Sequence, residues 1–345
     1  AVHDIPQSPR PASARSQHRL HPADPNAPCA LSQQEAIWSA SYQHKPEQII
    51  VASRQTLQCK AGLIVALILL APSWAAAGVQ EPPRLVLQIT VDALRGDLPG
   101  RYAHLFGEGG FRYLMDEGVH YTNAHYQHAN TETIVGHVSL ATGSVPAAHG
   151  MVGNVWFDRE QGRLVYNIED PEHRLLTAGA DVERSTEIDP TQKAAKVDGR
   201  SPATILSSTF SDELAVHTNG QAKIFAVSVK DRGAVSLAGH AGKAFWFSKA
   251  GGELVTSSYY YDAYPDWVQA WNAEQPALAY AGTSWELMQD SSEYLFGDSD
   301  DREYETDFPG FGRTFPHPYG AADDKYFTTR LTLSPDRKST RLNSS

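Results

Sequence analysis

Six polar residues have the types and positions that handling a phosphoryl group would require. Thr131 and Thr133 open the segment TETIVGHVSLATG, whose pattern predicts a helix over Thr131–Thr142. A helix N-terminus offers unpaired N–H groups and the positive end of a dipole, which suits a bound anion. A hydroxyl placed there is either a cap or a nucleophile. Asp92 ends the apolar run RLVLQITVDAL, Asn154 follows a glycine-containing turn in HGMVGNVWFD, and Lys230 and Arg232 follow a second apolar run in VSVKDRGAV. Together they hold one carboxylate, a hydroxyl, an amide donor and two cations. A threonine hydroxyl is too weakly acidic to attack phosphorus alone, and no Ser–His–Asp pattern is present to activate it. A divalent cation with Asp92 among its hard oxygen ligands would lower the hydroxyl pKa. Asn154, Lys230 and Arg232 would bind the non-bridging oxygens.

Taken singly, each residue also has a structural reading. Asp92, Thr131 and Thr133 suit helix caps, and Asn154 suits a turn. Lys230 and Arg232 flank Asp231 and suit surface ion pairs. His137, His149 and His240 sit beside glycines, without the H-E-x-x-H spacing of a zinc-binding helix. The acidic run GDSDDREYE at 297–305 lacks the glycine and terminal glutamate of a calcium loop and reads as a solvated loop.

The elements that must position these groups follow from periodicity. RLVLQITVDAL is nearly continuous in apolar residues, the pattern of a strand buried on both faces. GGFRYLMDEGV predicts a helix stopped by Gly118, with Phe111, Leu114 and Met115 on one side, and VHYTNAHYQ alternates like a strand. Strand, helix, strand, helix implies a doubly wound α/β sheet with helices on both faces, whose function gathers at strand carboxyl ends and helix N-termini. Downstream, SPATILSSTFSDELAVHTNG predicts a helix capped by Ser201, with Pro202 in its first turn and Asn219–Gly220 at its end. AKIFAVSVK reads as a buried strand, KAFWFSKAGGELVTSSYYY as a hairpin turning at Gly251–Gly252, and PDWVQAWNAE as a short amphipathic helix.

Composition narrows the class. The 345 residues carry a formal net charge of −11, which argues against a surface that grips a nucleic-acid polymer by charge. Lys60, the apolar stretch Ala61–Ala71 and the A-x-A site at Ala75–Ala77 have the layout of a secretory signal peptide cleaved before Gly78. The expected organisation is a disordered, non-native leader over 1–50, a signal peptide over 51–77, a catalytic region over 78–335 and a foreign tail over 336–345. The mature protein would then be periplasmic or secreted, with no membrane span. Both cysteines, Cys29 and Cys59, precede the cleavage site, so thiol chemistry is not expected afterwards.

The co-linear set VDALRGD, TETIVGHVSLATGSVPAAHGMVGNVWFDR, SVKDRGAV and AGHAGKAFWF resembles the alkaline-phosphatase superfamily, specifically its threonine-nucleophile, PafA-type phosphate monoesterases. The resemblance implies an alkaline-phosphatase-like sheet and two zinc ions in the full-length enzyme. It implies Asp92 as a ligand of one zinc, Thr133, in preference to Thr131, as the metal-bound nucleophile, and Asn154, Lys230 and Arg232 as a phosphate clamp. The implied substrate is a small phosphoester, and the implied reaction is displacement giving a phosphothreonine that is then hydrolysed. The Lys–x–Arg pair favours monoesters, because a monoester places more negative charge on the transferred group. A phosphodiesterase or nucleotide pyrophosphatase of the same superfamily is the alternative within this chemistry, and a non-catalytic binding module the alternative outside it.

The family's remaining metal ligands are expected in a D-x-x-G-H motif, an Asp-His-Gly motif and a later histidine, and none of these occurs here. The chain therefore reads as an N-terminal portion of such an enzyme, expected to be inactive alone.

Overall fold

The computed structural model describes residues 83–180, 187 and 189–333. The segments expected as leader (1–50), signal peptide (51–77) and foreign tail (336–345) lie outside the described residues. The chain divides at Arg84 into two units, and the fold described is that of the second, which begins at Leu85. No described helix is long and apolar enough to cross a membrane.

The elements follow in the order α1 (Leu98–Arg101), α2 (Phe111–Glu117), α3 (Thr133–Thr142), α4 (Pro146–His149), β1 (Val155–Asp158), β2 (Arg163–Tyr166), α5 (Pro190–Lys193) and α6 (Phe210–His217). Next come β3 (Phe225–Ser228), α7 (Asp231–Ala238), β4 (Lys243–Phe247), β5 (Leu254–Val255), α8 (Asp266–Ala273), β6 (Ser284–Trp285), β7 (His317–Pro318) and α9 (Phe327–Leu333). The architecture is mixed α/β. Its main sheet has the order β3-β4-β5, with β3 and β4 parallel and β5 antiparallel to β4. Helix α7 connects the parallel pair, because parallel neighbours cannot be joined by a tight turn.

The core forms where α3 and α7 pack together and α7 lies on β3 and β4. Ile134, Val135 and Val138 of α3 meet Ala234, Val235 and Ala238 of α7 in one cluster with Trp246 of β4. The spacing places these residues on one helical stripe. Gly143 ends α3 in the left-handed conformation, at φ +66°, where a side chain would be strained. The β4–β5 hairpin turns at Gly252, also at positive φ, within the stretch the sequence marks for it.

Four local expectations are corrected. Residues 85–91 form no strand, and Leu85 and Leu87 are 78% and 65% exposed. A run apolar on both faces becomes a strand only when neighbours supply hydrogen bonds, and among the described residues none pairs with it. Residues 119–127 likewise stay irregular, and α2 forms as expected but leaves Phe111 and Leu114 exposed. In β3, Ala226 is buried while Phe225 and Val227 are exposed, so this strand is covered on one face only. The helix expected from Ser201 begins instead at Phe210. Ser201 donates to Asp170 and accepts from the Ala203 N–H in a local turn, and Thr209 caps α6 through a reciprocal box with Asp212. Thr209→Ala removes that box and is expected to cost about 1 kcal/mol in a denaturant titration.

Candidate active site

Thr133 is the first residue of α3, half-buried, and its Oγ1 donates a long hydrogen bond of 3.4 Å to Asp92 Oδ2. The loop after residue 91 brings Asp92 here although no strand precedes it. Thr131 is exposed and has no hydrogen-bond partner among the described residues. The N-cap position belongs to Glu132, whose side chain turns away from the helix to accept from the Asn154 N–H at 2.6 Å.

Asn154 completes this end of α3. It is buried, and its Oδ1 accepts from the Ile134 N–H at 3.1 Å, satisfying one donor of the first turn. Its backbone carbonyl accepts from Asn167 Nδ2 at 2.7 Å. The side chain is thereby fixed, with Nδ2 left without an acceptor among the described residues. An oriented amide N–H beside a hydroxyl at a helix N-terminus suits an incoming anion.

The cations sit at the start of the neighbouring helix. Lys230 is the N-cap residue of α7, and Arg232 lies in its first turn. Lys230 Nζ and Arg232 Nη2 both pair with Asp189 Oδ2, at 2.8 and 3.1 Å. Arg232 Nη1 donates to Thr191 Oγ1 at 3.1 Å and to Tyr166 Oη at 3.4 Å. Asp231, between the two cations in sequence, points the opposite way. It is fully buried and accepts from Arg200 Nε (2.7 Å), Tyr166 Oη (2.7 Å) and Gln192 Nε2 (3.2 Å). The surface pairing with Asp231 that the sequence allows is thus replaced by Asp189.

The first turns of the two helices face each other. His137 Nδ1 donates to the Thr133 carbonyl at 2.7 Å, and a Cβ built on Gly233 would lie 3.8 Å from His137 Nε2. That Cβ would also come within 2.6 Å of Ser228 Oγ, so a glycine at this position lets α7 begin this close to the end of β3.

Burial disfavours the charge on Asp189, but Arg232 and Lys230 outweigh it and hold the carboxyl well below its ordinary range. Burial likewise opposes the Arg232 cation, and Tyr166, Asp189 and Asp231 reverse that and raise its pKa. Asp189, Thr191 and Tyr166 were not singled out from sequence. The cap pattern of Asp189–Pro190 is visible there, and Asp189 does accept from the Thr191 N–H, but its contacts with Lys230 and Arg232 are tertiary.

For a metal, Asp92 and Thr133 provide two adjacent oxygen donors. Among the described residues no group of three or more His, Cys, Asp or Glu side chains could hold an ion. A catalytic zinc site uses three protein ligands, and Asp92 and Thr133 would supply two.

Over residues 86–311 the sequence matches the family model of type I phosphodiesterases / nucleotide pyrophosphatases. It is 33% identical over 253 residues to the alkaline phosphatase PhoV of Synechococcus elongatus, covering 73% of this chain and 43% of that protein. It is 34% identical over 224 residues to the alkaline phosphatase PafA of Elizabethkingia meningoseptica, covering 65% of this chain and 38% of that protein. The structure superposes on a crystal structure of a PafA variant with a TM-score of 0.57 at 30% identity, covering 69% of this chain and 43% of the other. The chain thus spans about two fifths of the length of these relatives.

Proposed function

Because the chain belongs to the type I phosphodiesterase / nucleotide pyrophosphatase family, within the alkaline phosphatase superfamily, we propose that it carries the nucleophile and phosphate clamp of a secreted phosphate monoester hydrolase. The observation that carries this reading is Thr133 Oγ1 beside the Asp92 carboxylate at the N-terminus of α3, next to an Asn154 amide with no acceptor among the described residues. The crystallised PafA variant is altered at a threonine, an asparagine, a lysine and an arginine. Its threonine and asparagine are spaced as Thr133 and Asn154 are, and its lysine and arginine as Lys230 and Arg232 are, which supports the assignment.

In this mechanism Thr133 Oγ gives up its proton and attacks phosphorus in line with the leaving group, whose P–O bond breaks as the new one forms. The leaving oxygen takes a proton from water and departs as the alcohol. Asn154 Nδ2, Lys230 and Arg232 hold the non-bridging oxygens and offset the charge gathering there. Water then cleaves the threonine ester and releases inorganic phosphate. A divalent cation, zinc by family likeness, would lower the Thr133 hydroxyl pKa. Asp92 and Thr133 would be two of its donors. In the same reading, residues 78–335 are the N-terminal part of the catalytic domain, exported by the signal peptide.

The test compares p-nitrophenyl phosphate with bis-p-nitrophenyl phosphate on the complete gene product and on this 345-residue chain alone. The complete product is expected to favour the monoester by about a hundredfold or more in kcat/KM, and this chain alone to stay at background. The family model names phosphodiesterases and nucleotide pyrophosphatases, so a diester preference would place the protein with that second reading.

A further inference from the structure

The two clamp cations already hold an anion. Asp189 Oδ2 lies 2.8 Å from Lys230 Nζ and 3.1 Å from Arg232 Nη2, so one carboxylate oxygen bridges both. Its other oxygen is used to hold the segment, accepting from the Thr191 N–H at 2.9 Å and the Thr191 hydroxyl at 2.6 Å. Arg232 is 3% exposed, yet its Nε–H has no partner. Nε and Nη2 form one edge of the guanidinium fork, the edge that grips a carboxylate or phosphate with two parallel bonds. Asp189 uses half of that edge and leaves the other donor unmet, although an unpaired buried donor is costly. Of the other described acids nearby, Asp231 is committed to Arg200, Tyr166 and Gln192, and Glu187 to Lys249.

We infer that Asp189 is a specificity-determining residue of the clamp: its carboxylate competes with the phosphoryl group for Lys230 and Arg232 and sets how strongly the site prefers a dianion. This rests on the clamp assignment made above. With Asp189 ionised, two cationic charges are reduced to one net charge, which narrows the preference for a phosphomonoester dianion over a phosphodiester monoanion. Removing the carboxylate restores both charges and frees the Arg232 edge for two oxygens of a phosphoryl group. The monoester gains more than the diester because its extra charge lies against the added positive potential.

The experiment uses the complete gene product and two variants, Asp189→Asn and Asp189→Ala, with inorganic phosphate as the binding probe. For both variants the inhibition constant of phosphate is expected to fall, and the monoester-to-diester ratio of kcat/KM to rise, by about tenfold. A merely structural role for Asp189 would weaken phosphate binding and lower both activities together, and that result overturns the inference, as does an unchanged ratio. Lys230→Ala in the same background separates the two levels. If it leaves monoester turnover and phosphate inhibition intact, the clamp assignment itself fails. If it weakens both while the Asp189 variants leave the ratio unmoved, only the role of Asp189 fails.

Discussion

Thr133→Ala in the complete gene product is expected to lower kcat for p-nitrophenyl phosphate by about 10⁴-fold or more, the scale on which losing a nucleophile acts. The side chain stands at the N-terminus of α3 with its hydroxyl turned to Asp92, and among the described residues no other group makes a hydrogen bond to it. Deleting the hydroxyl therefore removes one long hydrogen bond of 3.4 Å and little packing, so the melting temperature is expected to stay within a few degrees. That separation of activity from stability is the signature to look for. Thr133→Ser keeps an alcohol at the same position and is expected to retain measurable turnover. Thr131→Ala serves as the internal comparison, because Thr131 is exposed and makes no hydrogen bond among the described residues. Acid quenching during turnover should trap a phosphate ester on a peptide containing Thr133, stable as an alkyl phosphate is. A trapped ester on Thr131, or full activity in the Thr133→Ala variant, would sink the assignment.

The largest expected effect on stability lies behind the cations, at the Arg200–Asp231 pair. Both side chains are fully buried and 2.7 Å apart. Burial opposes the charge on Asp231, but the charges of Arg200 and Arg232 overcome it, so the carboxyl titrates below its ordinary value. Asp231→Asn keeps the shape and removes the charge, so the buried carboxylate that pairs with Arg200 Nε is lost. The cost is expected to be about 3–5 kcal/mol, the range for breaking a buried pair from one side. Replacing both partners, Arg200→Met with Asp231→Leu, should recover part of that loss, since no uncompensated charge then remains. Urea titrations of the wild type, the single variant and the double variant test this directly.

The pH dependence has a definite sign. Asp231 has a folded-state pKa below its unfolded value of about 3.9, so the unfolded chain takes up its proton first as pH falls. Its contribution is complete above that value and is lost as pH drops through it toward the folded pKa. Asp189 is depressed in the same direction and adds to the same acid limb. The stability gap between wild type and Asp231→Asn should accordingly be constant near neutrality and close below about pH 4.

Local signals in this protein were legible wherever a short stretch carries its own answer. The helix expected over Thr131–Thr142 and found at Thr133–Thr142, the turn at Gly252, and the helix after Pro265 all depend on periodicity and φ preferences within a few residues. The superfamily was legible too, because several motifs stand in one order along the chain. Asp92, Thr133, Asn154, Lys230 and Arg232 could be picked out by residue type and place, although their roles rest on the proposal above.

Long-range partners decided the rest. Leu85–Val91 has strand composition, but a strand exists only when a neighbouring edge meets its backbone groups, and no described residue does so. Ser201 looked like a cap until Asp170, distant in sequence, accepted its hydroxyl, and the helix began at Thr209 and Phe210 instead. Lys230 and Arg232 appeared to have Asp231 as a neighbour, yet the backbone entering α7 turns that carboxylate inward and leaves Asp189 to meet them. The sequence by itself determined which residues could do the chemistry and which short elements would form. Tertiary structure alone decided which charges face one another, because an ion pair depends on separation in space and not on separation along the chain.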